Sequence, residues 1–385
     1  MAIPLVEISA ANLLMNNYSD GEMTMEDTIY KKLSIVLDTL PNGFPSTASG
    51  VEIKLLKKIF TPDQAELFCN MRLTFETVEE IAQRTGRSLD GLEELLNTMS
   101  QKGQLFMIKL GNTVHFKMLP WVFGIYEFQL GRLDKELAEL AEEYTPFYSM
   151  QFFSKMPQLM QVLPIEGELS AKEEAMPYEK VSFIIEHGQS FLVNDCICKK
   201  EKGLLGKPCD RPVQVCLAIA PIPGIFDNSP AGRVISKAEA YELLKMTEEK
   251  GLVHLTSNVQ YGSYYICNCC KCCCGVLRAI NDLGIPAMDV VNAHYYAEID
   301  PDKCVSCGLC LDERCQVGAI EEGEDAYRII QDRCIGCGLC VSTCPGEAVH
   351  LIHKNRDILV PPPLTEEKWF EERGKKRGVD FSAYK

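Results

Sequence analysis

Apolar positions recur at helical spacing through the first half of the chain. Thr61, Pro62 and Gln64 make an N-cap and capping box, after which Ala65, Leu67 and Phe68 begin an apolar face. Residues 74–86 (TFETVEEIAQRTG) and 88–103 (SLDGLEELLNTMSQKG) predict two short amphipathic helices, the second stopped by Gly103. In that second helix Leu89, Leu92, Leu95, Leu96 and Met99 form the expected buried face, leaving Asp90, Glu93, Glu94 and Asn97 outward. The period then shortens to two, as LFMIKL and TVHFKM flank Gly111 and Asn112, a hairpin signal. From Leu130 to Glu143 the pattern predicts a connector helix, and residues 145–180 lack a clean period and read as an irregular linker. Ser236 with Glu239 opens a further helix that Gly251 closes, and the LVHL segment that follows predicts a short strand.

Helix, helix, hairpin over about residues 48–120 resembles a winged-helix domain. That family often reads DNA through the second helix of the pair. Here the outward face of that helix is acidic and would repel a phosphate backbone, so protein docking or a purely structural role is expected instead.

The composition narrows the classes. The 385 residues are 46% hydrophobic and 24% charged, which predicts a globular chain of two or three domains. A formal charge of −15 disfavours nucleic acid and anionic membrane surfaces as partners. The longest apolar stretch, residues 213–226, is short and broken by Pro221 and Pro223, so no membrane span is expected. The opening MAIPLVEISAANLLMNNYSD has no basic leader, and a reducing, oxygen-poor cytoplasm is the expected setting. Near the end, Pro361, Pro362 and Pro363 predict a stiff extended run, and Trp369 with Phe370 are candidates to anchor the charged tail on a partner or on this chain's own surface.

Cysteine usage divides the chain. Of 19 cysteines only Cys69 precedes residue 196, and it sits on an apolar helix face as core filling. The odd count, the clustering and the length argue against a disulfide scaffold and for metal binding. Residues 304–315 (CVSCGLCLDERC) and 334–345 (CIGCGLCVSTCP) align at an offset of thirty, matching Cys304, Cys307 and Cys310 with Cys334, Cys337 and Cys340, and Gly308 with Gly338. About residues 295–353 closely resemble the bacterial two-cluster [4Fe-4S] ferredoxins. The resemblance implies two [4Fe-4S] clusters, one held by Cys304, Cys307, Cys310 and Cys344, the other by Cys334, Cys337, Cys340 and Cys315. Zinc is the alternative for four thiolates, but it uses cysteine pairs rather than duplicated triplets. Cys315 follows four intervening residues rather than three, and Gln316 stands where the family has proline, so the geometry at that ligand is expected to differ.

A second group matches no ferredoxin motif. Cys196, Cys198, Cys209 and Cys216 precede the run CNCCKCCC, which contains Cys267, Cys269, Cys270, Cys272, Cys273 and Cys274. In an extended segment Cys267, Cys269 and Cys273 would face one way and Cys270, Cys272 and Cys274 the other. With the four upstream cysteines, two further four-iron clusters or one larger fused cluster could be enclosed; a zinc or thiolate-rich structural site is the alternative. Cys273, Cys274 and Gly275 are similar to the CCG element of heterodisulfide-reductase-type cluster proteins, as a single occurrence. Lys199, Lys200, Lys202, Lys207, Arg211 and Lys271 lie among these cysteines, where positive charge would favour thiolate. His187 and His254 are candidates for iron ligation or proton transfer, with a structural role as the commoner alternative.

No nucleotide fingerprint, Walker sequence or hydrolase order appears, and no catalytic residue is assigned. The expected architecture is α+β and multidomain. It comprises an N-terminal helical segment (1–47), a winged-helix-like domain (48–125), a connector helix and linker (126–180), a cysteine-rich α/β metal- or cluster-binding domain (181–294), a two-cluster ferredoxin-like domain (295–353) and a tail (354–385). The expected function is iron-sulfur electron transfer between the ferredoxin clusters, one or two inner clusters and a redox partner such as a flavoprotein or iron-sulfur oxidoreductase, alone or within a larger complex. The alternatives are an oxidoreductase with a catalytic inner cluster and a redox-sensing winged-helix regulator.

Overall fold

The computed structural model describes residues 25–169, 175–227, 229, 231–355, 357 and 359–385. The opening twenty residues, expected to lack a leader, and the first half of the expected N-terminal helical segment lie outside them.

Helices α1 (Met25–Thr39), α2 (Val51–Ile59) and α3 (Pro62–Phe68) pack through Leu33, Leu37, Leu55, Leu56 and Phe68, all buried. The Thr61–Gln64 capping box opens α3 as its sequence demands. Cys69 lies in this core, where burial pushes its thiol up to about 11. Strand β1 (Glu76–Thr77) leads into α4 (Val78–Thr85), capped reciprocally by Thr77 and Glu80. Helix α5 (Leu92–Gln101) follows, then the hairpin β2 (Leu105–Leu110) and β3 (Thr113–Met118), turning at Gly111 with φ +60°. The three strands form an antiparallel sheet in the order β1-β3-β2. Leu92, Leu96 and Met99 are buried, but Leu89 is 55% exposed. Gly91, with φ +76°, starts α5 only at Leu92, so Leu89 is not on the helix face.

Helix α6 departs from expectation at both ends. It begins at Lys135, capped by Asp134, and runs past Glu143 and through Pro146 to Phe152. An internal proline costs about 3 kcal/mol. Burial of Tyr144, Tyr148 and Phe152 in one aromatic row, with Tyr144 also against Phe44, offsets it. The expected linker also holds a strand, since β4 (Met160–Leu163) lies wholly buried inside a seven-stranded sheet.

That sheet positions the inner cysteines. After α7 (Val181–His187) come β5 (Ser190–Asp195), α8 (Ile197–Leu204), β6 (Gln214–Ala220), β7 (Arg233–Ile235), α9 (Lys237–Glu249), β8 (Val253–Ser257) and β9 (Tyr265–Cys269). Helix α9 is capped by the expected Ser236–Glu239 box, and β8 is the expected short strand. Helices α10 (Gly275–Asn281) and α11 (Ala287–Val290) lead to β10 (Val291–Asn292), and the strand order is β10-β4-β8-β9-β6-β5-β7. All neighbours are antiparallel except β10 with β4. Because β5, β6 and β9 alternate in direction, the end of β5, the start of β6 and the end of β9 share one edge, and the cysteines sit there.

The last segment carries two small antiparallel pairs. Strands β11 (Tyr295–Ile299) and β14 (Val349–His353) enclose β12 (Ile320–Glu322) and β13 (Tyr327–Ile329) in sequence. Helix α12 (Glu366–Arg377) then returns to the chain's own surface. Trp369 is 4% exposed and donates Nε1–H to Gln158 O at 2.8 Å, and the buried Arg373 guanidinium bonds the carbonyls of Phe152, Lys155 and Pro157. The anchor is therefore internal. Among the described residues no helix is long and apolar enough to cross a membrane.

Candidate metal centre

The duplicated triplets fold alike. Gly308 and Gly338, thirty residues apart, have φ +80° and +83°, and their neighbours Ser306 and Gly336 have φ +50° and +59°. A Cβ on Gly336 would stand 2.3 Å from Tyr295 O, so glycine is required at that close approach. The fourth cysteines are matched as well. Ala319 N–H donates to Cys315 Sγ at 3.1 Å and Ala348 N–H to Cys344 Sγ at 3.3 Å, each four residues on. Ala297 N–H bonds Cys334 Sγ at 3.3 Å.

The extra residue before Cys315 is absorbed locally. Residues 310–314 form one wide turn, closed by Cys315 N–H to Cys310 O at 3.0 Å, whereas Cys344 N–H bonds Val341 O at 3.1 Å. The widened turn carries Cys315 into a cavity lined by Cys315, Cys334, Cys337 and Cys340 together with Ile320, Ile335 and Leu339. Burial pushes the Cys337 thiol up to about 12 and raises Cys334 and Cys340 as well. Thiols that resist ionisation alone become thiolates only against a bound cationic centre, so this enclosed, sulfur-lined, largely apolar space fits an iron-sulfur cluster.

The inner ten cysteines divide into two sets. Cys196 caps α8, Cys198 lies within it, Cys216 is on β6, Cys267 and Cys269 are on β9, and Cys274 caps α10. Free thiols neighbour one another along the run Cys216, Cys267, Cys269 and Cys274, and Cys196 neighbours Cys198. These neighbours, together with burial, hold Cys198, Cys267, Cys269 and Cys274 well above the ordinary thiol value. The second set, Cys209, Cys270, Cys272 and Cys273, brings all four sulfurs within 4.8 Å of one another.

The alternation expected along CNCCKCCC is corrected here. Cys267 and Cys269 do share a face, but Cys273 joins Cys270 and Cys272 while Cys274 joins Cys269. The strand ends at Cys269, and a helical turn closed by Cys274 N–H to Cys270 O at 3.1 Å exchanges the last two side chains.

Lys199 lies near sulfur. Its buried ammonium bonds Pro212 O at 2.7 Å and adds to the effect of the neighbouring thiols Cys198 and Cys273 in lowering Cys196 and Cys270. Lys200 pairs with Asp195 at 3.2 Å, Lys202 with Glu142 at 2.6 Å, and Arg211 Nε with Lys250 O at 3.2 Å. His254 is saturated by Asn268 Oδ1 at 2.6 Å and Glu248 Oε1 at 3.2 Å, and His187 bonds Phe183 O at 2.7 Å, both structural arrangements.

Three residues gain a role that the sequence alone does not announce. Gln316, in the proline position, is 1% exposed, accepts Lys271 N–H at 3.0 Å and holds Asn281 Nδ2 through its own carbonyl at 2.9 Å. Arg314 Nη1 bonds Glu249 O at 2.8 Å at the end of α9. Glu127 takes Gly124 N–H at 2.7 Å, and burial, with a smaller push from Cys196, raises its carboxyl to about 8. For Gln316 the sequence signal is its place where the ferredoxin pattern has proline; Arg314 and Glu127 carry none.

Residues 297–351 match the 4Fe-4S dicluster domain family. Neither a curated protein nor a solved structure matches the chain. The dicluster segment and the clustered cysteines point to iron-sulfur electron transfer.

Proposed function

We propose that this chain is an electron wire in which two [4Fe-4S] clusters, one held by Cys304, Cys307, Cys310 and Cys344 and one by Cys334, Cys337, Cys340 and Cys315, exchange electrons with an inner iron-sulfur site. The cavity lined by Cys315, Cys334, Cys337 and Cys340 carries this reading, because residues from both halves of the duplication line it together. When bound, such a group supplies reversible one-electron exchange. The chain supplies the rest. Ala297, Ala319 and Ala348 direct N–H groups at ligand sulfur, which favours the more negative reduced form, and the apolar wall of Ile320, Ile335 and Leu339 excludes water. The six thiols Cys196, Cys198, Cys216, Cys267, Cys269 and Cys274 are the inner site. Lys199 offsets their negative charge, and Glu127, neutral below pH 8 or so, adds none.

The front region, with its β1-β3-β2 sheet behind α4 and α5, is a winged-helix-like docking module for a redox partner in a reducing, oxygen-poor cytoplasm. The exposed Asp90, Glu93 and Glu94 favour a protein surface over DNA. Electron paramagnetic resonance during anaerobic reductive titration tests the proposal. Signals from two interacting clusters plus a third species that vanishes in Cys267→Ser while those two remain support it; a single non-interacting signal overturns it.

A further inference from the structure

The four-thiol set differs from every other cysteine group in its spacing. Cys209 Sγ lies 3.4 Å from Cys272 Sγ and 3.8 Å from Cys270 Sγ, Cys270 and Cys272 are 3.4 Å apart, and Cys272 and Cys273 are 3.7 Å apart. A zinc ion with Zn–S bonds of about 2.3 Å places tetrahedral sulfurs about 3.8 Å from one another. Thiolates on a cubane stand farther apart, since each is bonded to its own iron at a separate corner. The dicluster cysteines provide the contrast within the same chain, because among the described residues no second group converges as this one does.

We propose that Cys209, Cys270, Cys272 and Cys273 bind one zinc ion as a mononuclear tetrathiolate site. Two local features are those of a thiolate site. Arg211 N–H points at Cys209 Sγ from two residues on at 3.5 Å, and the Cys270–Cys273 turn presents three sulfurs from four positions. Zinc is selected over ferrous iron because thiolate sites bind it more tightly. Four thiolates and one Zn²⁺ carry a net charge of about −2, which the neighbouring Lys199 partly offsets. The site is structural: with four protein ligands it has no open position. It staples the 205–213 loop to the turn at 270–273, whose Lys271 N–H is held by Gln316 next to Cys315. The ion thus fixes the inner site against the dicluster segment, and four of the ten inner thiols are withdrawn from iron.

The test is metal analysis with zinc-edge X-ray absorption on the full chain purified without oxygen and without added metal. One zinc per chain, bound by four sulfurs at about 2.3 Å, is expected. Cys209→Ser and Cys272→Ser are expected to lose the zinc while keeping their iron and sulfide. Absence of zinc, iron in its place, or nitrogen or oxygen among its ligands would overturn the assignment. Loss of iron in step with zinc in a variant that retains its near-ultraviolet circular dichroism would do so too. The wild-type absorption spectrum decides even if both variants fail to fold. Since it concerns sulfurs outside the two dicluster sets, its failure leaves the electron-transfer reading standing.

Discussion

Gln316 Oε1, on a buried side chain, accepts the backbone N–H of the exposed Lys271 at 3.0 Å. This bond joins the residue after Cys315 to the residue between Cys270 and Cys272, so the dicluster segment and the inner cysteines meet through one part-buried hydrogen bond. A proline at position 316 could not make it.

Gln316→Ala is expected to remove this bond to the Lys271 N–H, costing about 0.5–1.5 kcal/mol. Urea unfolding should show the loss. The potential of the cluster completed by Cys315 is expected to move, while that of the cluster completed by Cys344 stays. Equal shifts in both would show that the bridge does not act locally.

Cys315→Ser separates the two ligand sets. The variant is expected to lose about four of its iron atoms and one resonance signal, keeping the cluster assigned to Cys304, Cys307, Cys310 and Cys344. Iron assay and paramagnetic resonance check this, and simultaneous loss of both signals would contradict the exchanged ligand pattern.

Glu127 provides a pH dependence. Its carboxyl binds a proton more tightly folded, at about 8, than at the ordinary value of 4.5. Between those values the native state holds more protons than the unfolded one, so stability falls as pH rises through that window. Glu127→Gln is expected to flatten this slope and to melt higher than the parent at pH 9, with little difference at pH 5. Parallel melting curves across that range would count against a neutral, half-buried acid.

Trp369 anchors the tail. Trp369→Ala is expected to cost about 3–5 kcal/mol, by loss of the buried ring and its bond to Gln158 O. Limited proteolysis should then cut within residues 366–377 at a rate that the parent chain does not show.

Where the sequence was legible, the signal was local. Capping boxes at Thr61 and Ser236, the turn at Gly111 and the thirty-residue repeat each fix a short piece of backbone by chemistry confined to neighbouring residues. Pro146 reads as a helix breaker, yet distant aromatic packing carries α6 through it. Strand β4 has only four residues and both faces buried, so it shows no alternation to find. Cys273 and Cys274 exchange sides because the strand ends at Cys269, five residues before Cys274, and the chain turns at once, Cys274 N–H bonding Cys270 O. The role of Gln316 depends on a partner 45 residues away, which no local pattern encodes.

The most direct measurement is the iron and acid-labile sulfide content of the full chain purified without oxygen. The account predicts clearly more than about eight iron atoms per chain with matching sulfide, about twelve if the inner six-thiol site holds one further cubane. A colourless protein whose eighteen cysteines after residue 195 all titrate as free thiols would contradict it.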